Sequence, residues 1–385
     1  MTERRHDLYL LTPGPLTVST EVKQEMLADR SPNAEPHRAL TGELRRYLLE
    51  LCNGQADYAC VPIQGSATYA IEAALHTLVP REGKLLVIQN GFYGLRLREI
   101  AEGIRMNMVA LELPMLPLPT GADIEEVLRR DPAITHLILC HVDSGTGVRN
   151  PIEEIAEAAK RRGVKMLVDA VASFGAFPID VVALDLEAVI TSPNKCLESV
   201  PGIGIVIAKK SSLEAAAGRS PSVVLDLSAQ WKFFEERNNQ WRFTPPTHVM
   251  GALDKAVERH KREGGAAPRM ERYRRNWRRL VDGMRQRGFV TLLPDDAAAP
   301  IIATFLDPKD PAYDFQKFYA AMARRGFIIF PGRLTAAGTF RIGVMGDLVE
   351  SDFTLVLGAI DDSLAEIGVT DVTATPRAET VGRAA

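Results

Sequence analysis

The stretch "VITSPNKCLESVPGIGIVIAKK", residues 189–210, carries a lysine where its surroundings argue against a charge. Apolar, β-branched runs flank it, "LEAVI" before and "IGIVIA" after, so Lys195 falls in a short polar turn between two expected buried strands. Desolvation disfavours an ammonium group, and a neutral amine is the form that condenses with an aldehyde. Lys195 lies 26 residues beyond Asp169, which closes the apolar run "VKMLVD". A carboxylate at a strand end is either a turn or helix-cap residue or the partner of a cationic ring nitrogen. Gly65, Ser66 and Ala67 follow "YACVPIQ" and open a helix, where free N–H groups and the helix dipole suit a phosphate, although a plain capping turn reads the same. After "KLLVIQ", the segment "NGFYG" offers Phe92 and Tyr93, which either pack into a core or lay one ring against a planar ligand.

Each of these residues has an ordinary structural explanation when taken alone. Together they supply a Schiff-base lysine, a ring-nitrogen acid, phosphate donors and a stacking face, which is the set that pyridoxal 5'-phosphate requires.

Positioning such a set calls for strands that end at one edge. "YACVPIQ", "KLLVIQ" and "THLILCHV" each lead into an amphipathic helical pattern, and "VKMLVDA", "LEAVIT" and "GIGIVIA" follow. Continuous apolar strands alternating with helices predict an α/β fold with a mostly parallel sheet, and ligands of such sheets bind outside the carboxyl ends of the strands. The texture changes after "NNQWRFTPPTHVM". Long charged helices, then "APIIATFLD", "FQKFYAAMARRG", "FIIFPG" and "TFRIGVMG", predict a smaller α+β domain. The expected division is a large domain over residues 15–250 and a small C-terminal one over 251–370. Residues 1–14 are expected to pack beside the second, and 371–385 to form a small, polar, disordered tail.

Composition closes off other classes. A chain of 385 residues with 46% hydrophobic and 25% charged residues and a net charge of -3 gives no argument for nucleic acid or a membrane surface as partner. The arginines of residues 269–287 alternate with acids and with Tyr273, Trp277, Leu280 and Met284, the pattern of a solvated amphipathic helix. Four cysteines without metal spacing and the lack of a signal or membrane-spanning run point to a cytoplasmic protein that binds no metal.

Nearly the whole chain, to about residue 365, resembles the class V aminotransferases of fold type I. The likeness rests on "LLTPGPLT", "IQGSATYAIEAAL", "NGFYGLR", "GVRNPIEEI", "VDAVASFGAFPID", "SPNKCLESVPG", "FPG" and "FRIG", while "LDLSAQW" with "WRFTPPTH" narrows it to the branch that moves an amino group from an aminoalkylphosphonate to pyruvate. It implies that Lys195 forms the Schiff base with pyridoxal 5'-phosphate and that Asp169 holds the ring nitrogen. Tyr93 would lie over the ring, Gly65, Ser66 and Ala67 would form the phosphate cup, and Ser144, Thr146 and Asn194 would line the cofactor. Thr244 would reach the phosphate held by a neighbouring subunit, implying a homodimer with shared sites. Arg341 would hold the substrate's anionic group, with Arg38 as the second candidate. Two departures bear on the substrate: "SPNAEPHRAL", with His37 and Arg38, is closer to the wider class, and Gly145 in "HVDSGTG" replaces a hydroxyl residue. The first of these favours an alanine or serine:glyoxylate (or pyruvate) transaminase as the alternative. A binding protein that had kept the fold and lost catalysis is expected to have lost Lys195 or Asp169.

Overall fold

Strands rich in Val, Ile and Leu need both faces covered, and seven of them make the middle of this molecule. A computed structural model of the chain describes residues 4–331 and 338–374. Edge to edge the sheet runs Tyr58–Gly65, Gly202–Lys209, Ala188–Thr191, Lys165–Asp169, Ile134–Cys140, Lys84–Gln89 and Met108–Glu112. The last five pair in parallel, while Gly202–Lys209 is antiparallel to both its neighbours. The fold is thus the α/β type with a mostly parallel sheet. No helix crosses between Ala188–Thr191 and Gly202–Lys209, and a connection that only turns back yields an antiparallel pair. Lys195 sits in that turn.

Helices Ala67–Leu78, Phe92–Gly103, Gly121–Arg130 and Ile152–Arg161 follow the strands and cover the sheet. Cys52, Cys60, Cys140 and Cys196 are all buried and free. A second core gathers around the antiparallel strands Ile302–Leu306, Thr339–Gly343 and Phe330–Pro331 with the helices Ala266–Gln286, Phe315–Arg324 and Asp352–Ile367. Tyr9, Leu11 and Leu16 belong to it, and Tyr9–Leu10 pairs in parallel with Phe327–Ile328. So do Val142, Ala172, Phe177 and Cys196, residues just past the carboxyl ends of the central strands. The second core therefore closes over the edge where a ligand of the sheet would bind.

Two expectations change. The helix Ala266–Gln286 is not solvated along its charged face at its start: Arg269 is 1% exposed and, with the half-buried Arg272, engages Glu198 and Glu263. Glu263 lies just before the helix, but Glu198 lies some seventy residues earlier, so local pattern could not reveal the pairing. Of the expected tail, Asp371 donates its N–H to Asp310 at 3.0 Å, as Thr370 just before it does at 2.8 Å, and residues 375–385 lie outside the described residues, as does the last residue of "FPG". Among the described residues, no helix is long and apolar enough to cross a membrane.

Candidate active site

Asp169 ends its strand in register with Cys140 on one side and Ile190 on the other, at the carboxyl edge of the parallel block. It is 2% exposed, and its Oδ1 accepts a turn N–H, from Val171 at 3.0 Å. Burial pushes its carboxyl up to about 6, against that hydrogen bond and the nearby charges of Lys195 and Arg96. Asp169 is thus the turn residue that the sequence allowed, and its charge also acts on Lys195.

Lys195 is 7% exposed. Its turn is closed by Glu198 N–H donating to the Lys195 carbonyl at 2.8 Å and Ser199 N–H to that of Pro193 at 2.9 Å. Burial pushes the ammonium down to about 8, with Cys196 and Asp169 pulling the other way and Arg341 adding to the depression. Nζ donates to the Pro13 carbonyl, and a side chain on Gly14 (φ 120°) would run into the lysine. The N-terminal "TPGP" is therefore the wall against which the amine rests. The turn is braced from outside by Glu198, held in a left-handed conformation (φ 57°). Its carboxylate accepts from the Tyr273 hydroxyl at 2.6 Å, from Arg272 at 2.8 Å and from Gly346 N–H at 3.1 Å, while Arg269 holds the Cys196 carbonyl at 2.8 Å. Burial alone would raise this carboxyl; Arg269 and Arg272 outweigh it and bring it below the usual range.

On the other side of Asp169, the loop of residues 141–150 meets the "NGFYG" segment. Asn90 and Asn150 exchange amide hydrogen bonds at 2.5 and 3.0 Å, and Asn150 also donates to the Cys140 carbonyl at 2.7 Å. Tyr93 is half-buried at the start of its helix, edge-on to Phe92, with the Arg96 guanidinium 4.9 Å from the Phe92 ring and 5.5 Å from its own. Desolvation raises its phenol, with the neighbouring Ser144 hydroxyl opposing.

Arg341 is 3% exposed. Period-two alternation predicts that Phe340 and Ile342 pack while Arg341 faces the other way, and the strand does this, yet both of its faces are covered. The guanidinium donates to the Ser144 carbonyl at 2.6 Å and the Pro331 carbonyl at 3.0 Å and stacks 4.6 Å from the Phe330 ring. Its Nε has no partner among the described residues. Burial pushes it down to about 10, with Asp143 and Tyr93 holding it up. No carboxylate forms an ion pair with it among the described residues, so a buried cation stands with donor capacity left over.

The structure thus links Lys195, Asp169, Tyr93, Ser144 and Arg341 in one cluster through their charges and hydrogen bonds. Thr146 is in the same loop, but its hydroxyl is engaged locally, accepting from Val148 N–H at 3.3 Å. Asn194 borders Gly14 through its carbonyl. Gly65 (φ 129°) pairs with Gly202, where the lysine turn re-enters the sheet, and Ser66 caps the Ala67–Leu78 helix without using its hydroxyl. Thr244 is exposed and shares a separate cavity of about 380 Å³ with Gly65, Tyr69, Gln230, Trp241 and Phe243. Arg38 shares no hydrogen-bond partner with Arg341 among the described residues: it lies in the Glu35–Glu50 helix, half-buried, and neither its Nε nor the His37 ring nitrogens have a partner among those residues.

Sequence reasoning missed Asp143 and Glu198. Asp143 is 1% exposed and accepts from three backbone N–H groups. A carboxylate directly after "LILCHV" is the same signal that singled out Asp169, and it was hidden among the hydroxyl residues that follow. Glu198 needs partners from residues 269–273 and 346, which no spacing announces.

A pyridoxal phosphate fits this chain: a buried amine of depressed basicity, a buried carboxylate in reach of its field, an aromatic face and an unused hydroxyl over open helix N–H groups are all in place. The family model for Aminotransferase class-V matches residues 33–336. A 2-aminoethylphosphonate–pyruvate transaminase of Rhizobium meliloti (strain 1021) is 45% identical over 371 residues, 96% of each chain. One from Burkholderia lata is 45% identical over 365 residues, covering 95% of this chain and 97% of its own. Among solved structures, the pyridoxamine-pyruvate aminotransferase of Mesorhizobium loti superposes with a TM-score of 0.85 at 22% identity over 96% of this chain and 95% of its own. The ureidoglycine-glyoxylate aminotransferase of Bacillus subtilis gives 0.85 at 24% over 99% and 97%. At such identities the last two speak for the fold alone.

Proposed function

The chain belongs to the class-V aminotransferases, and from that premise we propose that it is a pyridoxal-phosphate transaminase that moves the amino group of 2-aminoethylphosphonate to pyruvate. Phosphonoacetaldehyde and L-alanine are the products. The observation that carries the substrate reading, beside the relatives' shared activity, is Arg341: a buried guanidinium without a carboxylate partner among the described residues, close enough for its charge to act on Lys195.

When bound, the cofactor supplies an aldehyde and an electron-withdrawing ring. Lys195 would hold it covalently, Asp169 would face its ring nitrogen, Tyr93 would lie against the ring, and Gly65, Ser66 and Ala67 would take its phosphate. Ser144, Thr146 and Asn194 would line the remainder. Arg341 orients the substrate by its anionic group, meeting paired oxygens with parallel charge-assisted hydrogen bonds. As a free amine, Lys195 Nζ would be a base of suitable strength to take a proton from the substrate's amino-bearing carbon. Asp169 keeps a negative charge where a ring proton must be held. The second core, packed over the strand ends, would limit the access of water to Lys195 and Asp169.

In this reading residues 15–250 form the cofactor-binding domain and 251–370 the smaller one. The site is shared within a homodimer. Tyr69, Val224 and Phe243 surround the Thr244 cavity at 57%, 62% and 46% exposure. Burying such a rim against a second copy would bring its Thr244 to the neighbouring phosphate.

The direct test is an amino-donor panel with pyruvate and with glyoxylate as acceptors, followed by alanine or glycine formation. 2-Aminoethylphosphonate with pyruvate is expected to exceed serine with either acceptor and alanine with glyoxylate. A preference for alanine or serine with glyoxylate would move the substrate reading to the alternative branch. Arg341→Lys keeps a charge and loses the planar fork. It is expected to raise the KM of both donor and keto acid, since both use one anion site in turn, with kcat/KM falling about ten- to hundredfold, the scale of a hydrogen bond to a charged group. The cofactor's absorbance should not change. Unaltered kinetics would return Arg341 to a structural part and leave Arg38 as the next candidate.

A further inference from the structure

Asp143 has no place in the chemistry above, yet it is a fully buried carboxylate at the centre of the site. Its Oδ2 accepts the Tyr93 N–H at 2.7 Å, and its Oδ1 accepts the N–H groups of Gly145 at 2.8 Å and Thr146 at 3.0 Å. Tyr93 is the second residue of the helix Phe92–Gly103, so one oxygen sits at that helix's N-terminus, where negative charge is favoured. The other folds the loop whose Ser144 carbonyl receives Arg341. A single side chain thus joins the aromatic face of the site to the seat of its arginine. The approach is possible because position 91 lacks a side chain: a Cβ on Gly91 would lie 2.4 Å from Asp143 Oδ2 and 2.8 Å from Cγ. Gly91 has extended backbone (φ -179°) open to any residue, so it is the space, not the conformation, that glycine provides.

We propose that Asp143 is a positioning residue, clamping the residues 143–146 loop against the start of the Tyr93 helix so that Arg341 is aimed at the substrate's anion. The proposal rests on Arg341 being the anion's partner. A carboxylate near an anion site would ordinarily weaken binding by repulsion. Here both oxygens are occupied by N–H donors, so the charge is met locally and cannot swing toward the guanidinium. Beside the charge that holds the guanidinium's basicity up, what it contributes to Arg341 is the fixed place of the Ser144 carbonyl. The groups that face Asp143 electrostatically are Arg341, Tyr93, Asp169 and Cys140.

Two variants separate clamp from charge. Asp143→Asn keeps the volume, loses the charge and turns either its amide N–H₂ toward Tyr93 N–H or toward the Gly145 and Thr146 donors. Gly91→Ala keeps the charge and pushes the carboxylate off Tyr93. The measurements are calorimetric binding of methylphosphonate to the cofactor-loaded protein and the pH at which the bound cofactor's visible band titrates. Both variants should bind methylphosphonate about ten- to hundredfold more weakly than wild type, with KM rising more than kcat falls. Only Asp143→Asn should shift the band's titration to lower pH, since only it removes a negative charge that favours a nearby cation. Asp143→Asn binding as tightly as wild type or tighter would overturn the proposal, as would unimpaired binding in Gly91→Ala. Wild type that fails to bind methylphosphonate, or binds it equally well as Arg341→Lys, would instead overturn the assignment of Arg341 to the anion.

Discussion

Lys195→Ala should yield a protein in which borohydride fixes no cofactor to the chain and transamination falls about 10³-fold or more, the scale of losing a general base together with the covalent anchor. The wild type, reduced in the same way, should carry the cofactor on the peptide containing Lys195. The size of the effect follows from two properties of the site. At pH 7 an amine of pKa about 8 is neutral in about one molecule in ten, against about one in three thousand for an ordinary lysine, so burial raises the reactive fraction by more than two orders of magnitude. No other lysine is placed to substitute: Lys165 and Lys209 pair with Glu187 and Asp185, on strand positions away from the carboxyl edge. Cofactor still attached by reduction in Lys195→Ala would sink the assignment.

How the lysine came to be recognisable from sequence explains what else was legible. Lys195 and Asp169 stood out because each is a charged residue on the border of an apolar run, and a strand's apolar pattern fixes where it ends. The strand ends then placed both at one edge without any tertiary knowledge. The same alternation put Arg341 opposite Phe340 and Ile342, but could not tell a buried second face from a wet one, because that depends on Phe330 and the Ser144 loop arriving from elsewhere. Arg269 and Arg272 were misjudged for the related reason that their carboxylates, Glu198 and Glu263, include one lying some seventy residues earlier in the chain. Asp143 obeyed the rule that revealed Asp169 and was passed over, since the serine and threonine after it offered a simpler account of the segment. Pattern reports the element and its faces; partners across elements come only from the fold.

Asp169→Asn should leave the cofactor bound and lower turnover about 10²- to 10³-fold, comparable to removing one preorganised electrostatic contact to a transition state. An amide can hydrogen-bond a ring nitrogen but cannot hold a proton there by charge, so the loss should fall on kcat rather than on cofactor retention. The same variant makes a second prediction that involves no catalysis. Burial raises the Asp169 carboxyl from an ordinary 3.8 to about 6, so the folded protein without cofactor binds this proton more tightly than the unfolded chain. Ionised Asp169 therefore costs stability: none below pH 4, an increasing amount as pH rises from 4 to 6, and a constant amount above that, about 3 kcal/mol at the most. Asparagine carries no such charge. The cofactor-free Asp169→Asn protein should melt above the wild type at pH 7 to 8, and the difference should shrink as pH falls through 6 and vanish near 4. Loading with cofactor should narrow the gap at pH 7, because a ring cation facing the carboxylate offsets its desolvation. A gain in stability with a loss of turnover is what a carboxylate buried for chemistry, and not for packing, must show. Near-normal turnover in the variant, or a melting temperature below wild type at pH 8, would mean that another group holds the ring nitrogen and that Asp169 is only the turn residue its bond to Val171 suggests.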